Sequence, residues 1–137
     1  MENYLQLSMT PQQVNAMSSL GLAHIGDGVF ELMCRSYLCV RGNKTVKNLH
    51  KSAVSMVNAP AQARLLDVIF PQLTESEQDI YRRGKNAHTH VSPKGATPQE
   101  YAKATGLEAL FGALYLLGQT ERLNELFCMG VEELYGI

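Results

Sequence analysis

The sequence predicts an all-α protein, a bundle of six or seven helices. Three observations lead to this fold class. Apolar residues recur at helical spacing through most of the chain. Hydroxyl residues followed by proline or an acid mark helix starts at Thr10-Pro11, Thr74-Glu75 and Thr97-Pro98. No stretch alternates apolar and polar residues between turn signals, as a half-buried strand would.

Length and composition limit the number of domains. The chain has 137 residues, of which 45% are hydrophobic and 18% charged, as is typical of a folded protein. This length supports one hydrophobic core and is short for two. We therefore expect a single domain that spans residues 1–137.

Helix signals divide the first half of the chain into four segments. Each begins at a capping residue or an apolar run and ends at glycine or proline. In order, the predicted helices run from Thr10-Pro11 to Leu20 with a stop at Gly21, from about Leu22 to Val40, from Thr45 through Val57, and from Asn58-Ala59-Pro60 to Pro71. Apolar residues cover most of the circumference of the second helix, so we expect it to be central and mostly buried.

The second half predicts a shorter helix, a loop and two long helices. A capping box with acids in its first turn opens the fifth helix. In order, the predicted elements are a helix from Thr74 into residues 82–86, a polar loop over residues 87–96, a helix from Thr97-Pro98 to about Leu117 that ends at Gly118, and a last helix capped by Thr120 that reaches about Tyr135.

Basic residues are concentrated in two acid-free segments, which the net charge of −1 conceals. Residues 32–66 and 80–99 contain no Asp or Glu. A solvated helix face usually mixes both signs of charge, so this segregation indicates a polyanionic partner. The basic residues of these segments include Arg35, Arg41, Lys44, Lys47, Lys51, Arg64, Arg82, Arg83, Lys85 and Lys94.

Two carboxylates lie within apolar helical stretches, Asp27 in residues 22–33 and Glu108 in residues 104–115. An apolar environment requires a carboxylate to be neutralised, hydrogen-bonded or paired with a cation. Nearby cationic partners are few, since His24 and Lys103 are the candidates close to the two acids. We therefore expect the two acids to meet across a helix pair and bind Mg²⁺, which accepts one or two carboxylates plus water and phosphate oxygens. The alternative is that both are half-exposed surface acids.

Such a metal site would support phosphodiester hydrolysis. Other side chains near the two acids leave alternatives open. Glu31 is either a further acid of the site or the partner of Arg35 in an i,i+4 ion pair. His24 is either a packing residue or a partner of Asp27. We interpret residues 88–90 (HTH) as contacting RNA or solvent, because no cysteine or acid lies near them in sequence.

These residues carry a family resemblance. Residues 25–29 (IGDGV) resemble the "LGDAV" core of the ribonuclease III signature, and residues 107–116 (LEALFGALYL) resemble its second motif, "EAxxGAxYL". Residues 48–53, 61–63, 82–87 and 104–109 are similar to stretches of Mini-ribonuclease III, the bacterial branch that lacks a double-stranded-RNA-binding domain. The resemblance covers roughly residues 20–126.

The resemblance implies a ribonuclease III catalytic-domain-like bundle and a homodimeric, Mg²⁺-dependent endonuclease of double-stranded RNA. It further implies maturation of the precursor of the large-subunit (23S) ribosomal RNA, with assistance from a ribosomal protein. By motif position, Asp27 and Glu108 become the catalytic, metal-binding pair. Ala23 and Thr105 stand where the full signature has two further acids, so this site is poorer in carboxylates than its relatives.

Without a separate RNA-binding domain, affinity for RNA falls to the basic segments. Phosphate contacts supply such affinity in a salt-dependent way, and duplex RNA is recognised mostly by its shape and 2′-hydroxyl groups. The residues assigned to RNA binding are Lys44, Lys47, Lys51, Arg82, Arg83, Lys85, Asn86 and Lys94. A competing hypothesis is a catalytically silent RNA-binding dimer of the same fold, and a third is a helical protein-interaction module.

The expected compartment is the cytoplasm. Residues 1–8 lack the pattern of a signal peptide, and no apolar run approaches the roughly 20 residues that span a membrane. Cys34, Cys39 and Cys128 form an odd set without a CxxC motif, which argues against a disulfide framework or a zinc ribbon.

Overall fold

A computed structural model describes residues 1–42, 45–87 and 94–136. The RNA-binding prediction for Lys44 and the interpretation of residues 88–90 lie outside this range. Over the described residues the chain forms seven α-helices and no strand, which confirms the all-α prediction. The helices are α1 (Pro11–Asn15), α2 (Ser19–Arg41), α3 (Val46–Val57), α4 (Ala59–Ile69), α5 (Glu75–Lys85), α6 (Pro98–Leu116) and α7 (Thr120–Tyr135), with a 3₁₀ turn at Phe70–Gln72.

Helix α6 is the centre of the bundle. It packs against α2, α4, α5 and α7, and its second half is buried almost all round, with Leu107, Leu110 and Phe111 fully enclosed. Helix α6 combines apolar faces in every direction with glycines and alanines that allow close neighbours. The position of Glu108 on α6 therefore places a carboxylate beside the core of the protein.

The prediction that α2 is the central, buried helix is wrong. Only one stripe of α2 is buried (Leu22, Ala23, Gly26, Phe30 and Cys34). On its other face Leu32 is 58% exposed and Val40 is 85% exposed. Apolar residues around a helix show that several of its faces can be buried, but they do not show how many other helices pack against it. In this fold α6, and not α2, is the helix surrounded by four others. Helix α3 shows the same effect, because its apolar residues Val46 and Val54 are exposed.

The boundary between α1 and α2 differs from the prediction. Helix α1 ends at Asn15 and not at Leu20. Helix α2 begins at Ser19 because the Oγ atom of Ser18 accepts a hydrogen bond from the N–H of Gly21 at 3.0 Å. Gly21 therefore lies in the first turn of α2 and does not stop α1. Thr120 is likewise the first residue of α7 and not its cap.

The remaining caps follow the prediction. Thr45 and Asn58 cap α3 and α4. Thr74 and Thr97 form complete capping boxes at the starts of α5 and α6, so these helices begin where the sequence placed them. Gly118, at φ +77°, ends α6 as expected.

None of the described helices is both long and apolar enough to cross a membrane.

Candidate active site

The site lies where α2 crosses α6 at backbone contact. A Cβ atom added to Gly26 would lie 1.6 Å from the carbonyl oxygen of Glu108, and one added to Gly112 would lie 2.0 Å from the carbonyl oxygen of Leu22. Only residues without a side chain permit this separation. Because Gly26 touches the backbone of Glu108, the next residue along α2, Asp27, is held beside Glu108.

The structure brings the Asp27 and Glu108 side chains together. The two carboxyl groups lie close enough for Asp27 to act directly on the pKa of Glu108. Asp27 is exposed, whereas Glu108 is half-buried. A third side chain completes the arrangement, since the Nε2 atom of Gln62 on α4 donates to the Oε2 atom of Glu108 at 3.4 Å. Both acids were expected to lie in an apolar environment. Glu108 meets this expectation, whereas Asp27 is exposed to solvent.

The electrostatics of the pair favour binding of a cation or a proton. Burial, followed by the negative charge of Asp27, raises the pKa of Glu108 from 4.5 to about 8, although the hydrogen bond from Gln62 acts in the opposite direction. None of the ion pairs formed among the described residues includes Asp27 or Glu108. At neutral pH the pair therefore lacks a compensating positive charge.

This raised pKa leads to a prediction about stability. Folded Glu108 keeps a proton that the unfolded chain releases, so between about pH 5 and pH 8 the unfolded state binds fewer protons. The free energy of unfolding of the metal-free protein should therefore fall as the pH rises, by a total on the order of 3 kcal/mol. Glu108→Gln should abolish most of this decrease and be more stable than the wild type at pH 8. Urea unfolding curves from pH 5 to pH 8 provide the measurement.

Glu31→Gln is the matched control, because it removes a carboxylate from the neighbouring turn of α2 without touching Glu108. It should keep the wild-type dependence on pH. A Glu108→Gln variant with the same dependence as the wild type would show that Glu108 is not the group responsible.

The donor set at this crossing fits a hard divalent cation. Two carboxylates in contact, one of them destabilised by burial, match the oxygen ligands that Mg²⁺ prefers, and exposure of Asp27 leaves room for water and phosphate oxygens. Within the described ranges no group of three or more His, Cys, Asp or Glu residues could hold a metal ion. Among the described residues, the carboxylates brought together at this crossing are therefore those of Asp27 and Glu108.

Ala23 and Thr105 lie one helical turn before Asp27 and Glu108, and neither adds a carboxylate to the site. Both are nearly buried, at 7% and 6% exposed. The Oγ1 atom of Thr105 donates to the carbonyl oxygen of Tyr101, one turn earlier in α6, at 3.0 Å. The hydroxyl group of Thr105 is therefore satisfied within its own helix and is directed along α6.

Neither Glu31 nor His24 shares the environment of Asp27 and Glu108, since Glu31 is paired with a cation and His24 is exposed. Glu31 forms the i,i+4 ion pair with Arg35, at 3.3 Å, which was one of its two predicted roles. His24 is exposed, so its interpretation as a packing residue is wrong. The other candidate cation, Lys103, pairs with Asp67 at 2.9 Å.

Glu108 faces an open groove of about 660 Å³ between α4 and the start of α6, which we call the Glu108 groove. Its lining includes Gln62, Arg64, Lys94 and Tyr101. Of the predicted RNA-binding residues in the described part of the chain, Lys94 is the one that lines this groove. Gln62 and Arg64 had no predicted role at this site. A glutamine between two alanines on the buried face of α4 was the available signal for Gln62.

The other predicted RNA-binding residues lie elsewhere on the surface. Lys47 and Lys51 are exposed on α3. Arg82, Lys85 and Asn86 line a second groove, of about 380 Å³, together with Lys103. Arg83 is exposed and donates to the Oδ1 atom of Asn15 at 3.3 Å. The structure therefore separates these basic residues into several surfaces.

Comparison with known proteins gives one consistent result. Residues 20–119 match the sequence profile of the Ribonuclease III domain. A protein named Mini-ribonuclease 3 from Symbiobacterium thermophilum is 51% identical over 107 residues, which cover 78% of this chain and 82% of that protein. Another of that name from a Thermoanaerobacter species is 43% identical over 124 residues, which cover 90% and 87% of the two chains.

A solved structure shares the fold. The crystal structure of a protein from Fusobacterium nucleatum superposes with a TM-score of 0.79 at 32% sequence identity. The superposition covers 89% of this chain and 98% of the other. The fold of this chain is therefore shared by a protein from another organism.

Proposed function

The chain belongs to the ribonuclease III family, and from this premise we propose that it is a magnesium-dependent endonuclease that matures the precursor of the 23S ribosomal RNA. Membership makes it an endoribonuclease that acts on double-stranded RNA. The observation that carries the proposal is the contact between Asp27 and Glu108, because it assembles a carboxylate pair without a protein cation.

Asp27 and Glu108 would hold Mg²⁺ through their carboxylate oxygens. When bound, the ion supplies Lewis acidity at the phosphate and a lowered pKa of water. The chain contributes the arrangement around it. Gly26 and Gly112 fix the distance between α2 and α6, and the open space around Gly28 leaves the surface beside Asp27 accessible to a phosphodiester backbone. The catalytic unit in this proposal is the single ribonuclease III-like domain of residues 1–137.

Affinity for RNA would come from the basic surfaces. Lys94 and Arg64 lie in the Glu108 groove, where they can neutralise phosphates that flank the scissile bond. Lys47 and Lys51 on α3, together with Arg82, Arg83, Lys85 and Asn86 at the end of α5, would contact the duplex farther from the cut. The same role is proposed for Lys44, outside the described residues.

Cleavage of both strands calls for two sites, so we include a homodimer in the proposal. Exposed apolar side chains of α2, such as Leu32 and Val40, provide a surface of the kind that a second copy covers. Sedimentation equilibrium should give twice the mass of the 15.1 kDa chain, and a monomer at micromolar concentration would contradict the proposed homodimer.

The proposed compartment is the cytoplasm, and the proposed assistant is a ribosomal protein bound to the precursor.

A catalytically silent scaffold of the same fold is less well supported. Burial of Glu108 against Asp27 lowers the stability of the metal-free protein at neutral pH, as the raised pKa of Glu108 indicates. A scaffold gains nothing from this loss, whereas a site that binds a cation recovers it.

Cleavage of long duplex RNA with and without a chelator tests the function. The purified chain should cut the duplex in the presence of Mg²⁺ and lose this activity in EDTA, with recovery when Mg²⁺ is added in excess. A 23S precursor should be cut at discrete positions, and addition of ribosomal proteins should alter the rate if one of them assists. Cleavage that persists in EDTA, or none with Mg²⁺, would refute the proposal.

A second arm of the same assay addresses the basic end of α5. Replacement of Arg82, Arg83 and Lys85 by Ala should weaken RNA binding and reduce its dependence on salt concentration, by about one unit of log–log slope for each phosphate that is no longer neutralised. The rate at saturating RNA should stay near that of the wild type, because these residues do not touch Asp27 or Glu108. An unchanged salt slope would exclude this surface from RNA binding.

A further inference from the structure

Gln62 is a buried polar residue whose environment calls for an explanation. Its side chain lies on α4, is 2% exposed, and is one of the few polar residues in the core. The Nε2 atom donates to the Oε2 atom of Glu108 at 3.4 Å, across the interface between α4 and α6. Burial of an amide without a hydrogen-bond partner costs about 1–3 kcal/mol of folding free energy, so the contact with Glu108 matters for the stability of a buried glutamine.

The start of α4 holds Gln62 firmly in place. The Oδ1 atom of Asn58 accepts the N–H of Ala61 at 2.9 Å, and the N–H of Gln62 donates to the carbonyl oxygen of Asn58 at 3.0 Å. The neighbours Ala61 and Ala63 are buried, at 1% and 4% exposed. Gln62 therefore lies in the capped first turn of α4, between two buried alanines, and its amide reaches Glu108 from this turn.

The chemistry of an amide suits the restraint of a carboxylate. An uncharged N–H donor orients one oxygen of Glu108 without neutralising the carboxylate as Lys or Arg would. It therefore leaves the negative charge free to bind a cation together with Asp27.

We propose that Gln62 is a positioning residue, which holds the Glu108 carboxylate in the orientation that lets it share a divalent cation with Asp27. This inference rests on the proposed function, because it gives Glu108 a metal-binding role. Hydrogen-bond partners of metal ligands typically change metal affinity or activity by about 10–100-fold when they are removed.

Gln62→Met is the informative variant, because methionine has a similar volume and lacks the amide. Binding of Mn²⁺ to the RNA-free protein, followed through the free-ion signal in electron paramagnetic resonance, should weaken by about 10-fold or more. The Mg²⁺ concentration that gives half-maximal cleavage should rise in parallel. RNA affinity in Ca²⁺ should remain within about 2-fold of the wild type, because Gln62 is only 2% exposed and carries no charge that could pair with a phosphate.

Thr105→Val provides the matched control. It removes a nearly buried hydrogen bond on α6, one turn before Glu108, without removing a contact to the carboxylate. A purely structural effect near the site should appear in both variants as a lower melting temperature. A positioning effect should appear as weaker Mn²⁺ binding in Gln62→Met, with Thr105→Val within about 2-fold of the wild type.

The possible results separate the inference from the function on which it rests. Failure of the wild type to bind Mn²⁺ and to cut duplex RNA would refute the proposed function. Wild-type binding and cleavage, combined with unchanged Mn²⁺ affinity in Gln62→Met, would overturn the role of Gln62 alone. If Gln62→Met does not fold, Gln62→Asn keeps an amide but withdraws it by one methylene group, and unchanged Mn²⁺ affinity in that variant would overturn the role equally.

Discussion

Asp27→Asn is expected to lower the rate of duplex RNA cleavage by at least about 10³-fold, as the loss of a group that stabilises the transition state directly does in other enzymes. The substitution keeps the shape of the side chain and removes its charge. Asp27 is exposed and Glu108 half-buried, so Asp27 is the more accessible member of the pair. Single-turnover cleavage of a labelled duplex in saturating Mg²⁺ gives the rate constant.

RNA binding by Asp27→Asn should stay within about 3-fold of the wild type, because removal of one carboxylate does not weaken contacts made by basic residues. The matched control is Glu31→Gln, which removes a charge one turn along the same helix. Glu31 is paired with Arg35 on the exposed face of α2, and such a pair contributes only about 0.3–0.5 kcal/mol. The control should therefore cleave at a rate within about 3-fold of the wild type. An Asp27→Asn variant that turns over like this control would remove Asp27 from the mechanism.

Gly26→Ala should destabilise the protein by at least about 3 kcal/mol, because its Cβ atom would lie 1.6 Å from the carbonyl oxygen of Glu108. The atom it meets belongs to the backbone of α6, so relief requires the two helices to separate. Separation would also move Asp27 away from Glu108 and lower the rate of cleavage. Urea unfolding at constant pH measures the change in the free energy of unfolding.

Gly28→Ala, two residues along the same helix, is the control for stability. A Cβ atom at Gly28 would meet no atom within 4 Å. Alanine favours a helix over glycine, so this variant should be more stable than the wild type by about 0.5–1 kcal/mol. Equal effects of the two substitutions would contradict the backbone contact between α2 and α6 as the origin of the difference.

Local sequence signals predict most of the helix starts, because a cap is a contact between residues three or four positions apart. Thr45, Asn58, Thr74 and Thr97 begin their helices by such contacts, so no knowledge of the rest of the fold is needed. The displaced boundary between α1 and α2 has the same local origin. Gly21 resembles a stop signal, although Ser18 caps the helix that contains it.

The same reasoning predicted the carboxylate pair but not its surroundings. Asp27 and Glu108 are conspicuous as acids in apolar helical stretches, which made their meeting a reasonable hypothesis. Gln62 had no predicted role, because a glutamine between two alanines is a weak signal on a helix, and its burial against Glu108 is visible only in the structure. The basic residues were found as a class, but their division among separate surfaces depends on how α3, α4 and α5 are arranged.

By itself the sequence determined the all-α fold, most helix starts and the identity of the two acids, since these follow from contacts along one helix or from residue chemistry. Only the tertiary structure decided which helix lies at the centre and how deeply each acid is buried. Leu32 and Leu110 are equally apolar, yet the first is 58% exposed and the second fully buried. The burial of a residue depends on how many helices surround its position. At the crossing of α2 and α6, Gly26 and Gly112 allow the two backbones to touch, and this contact determines how close Asp27 lies to Glu108.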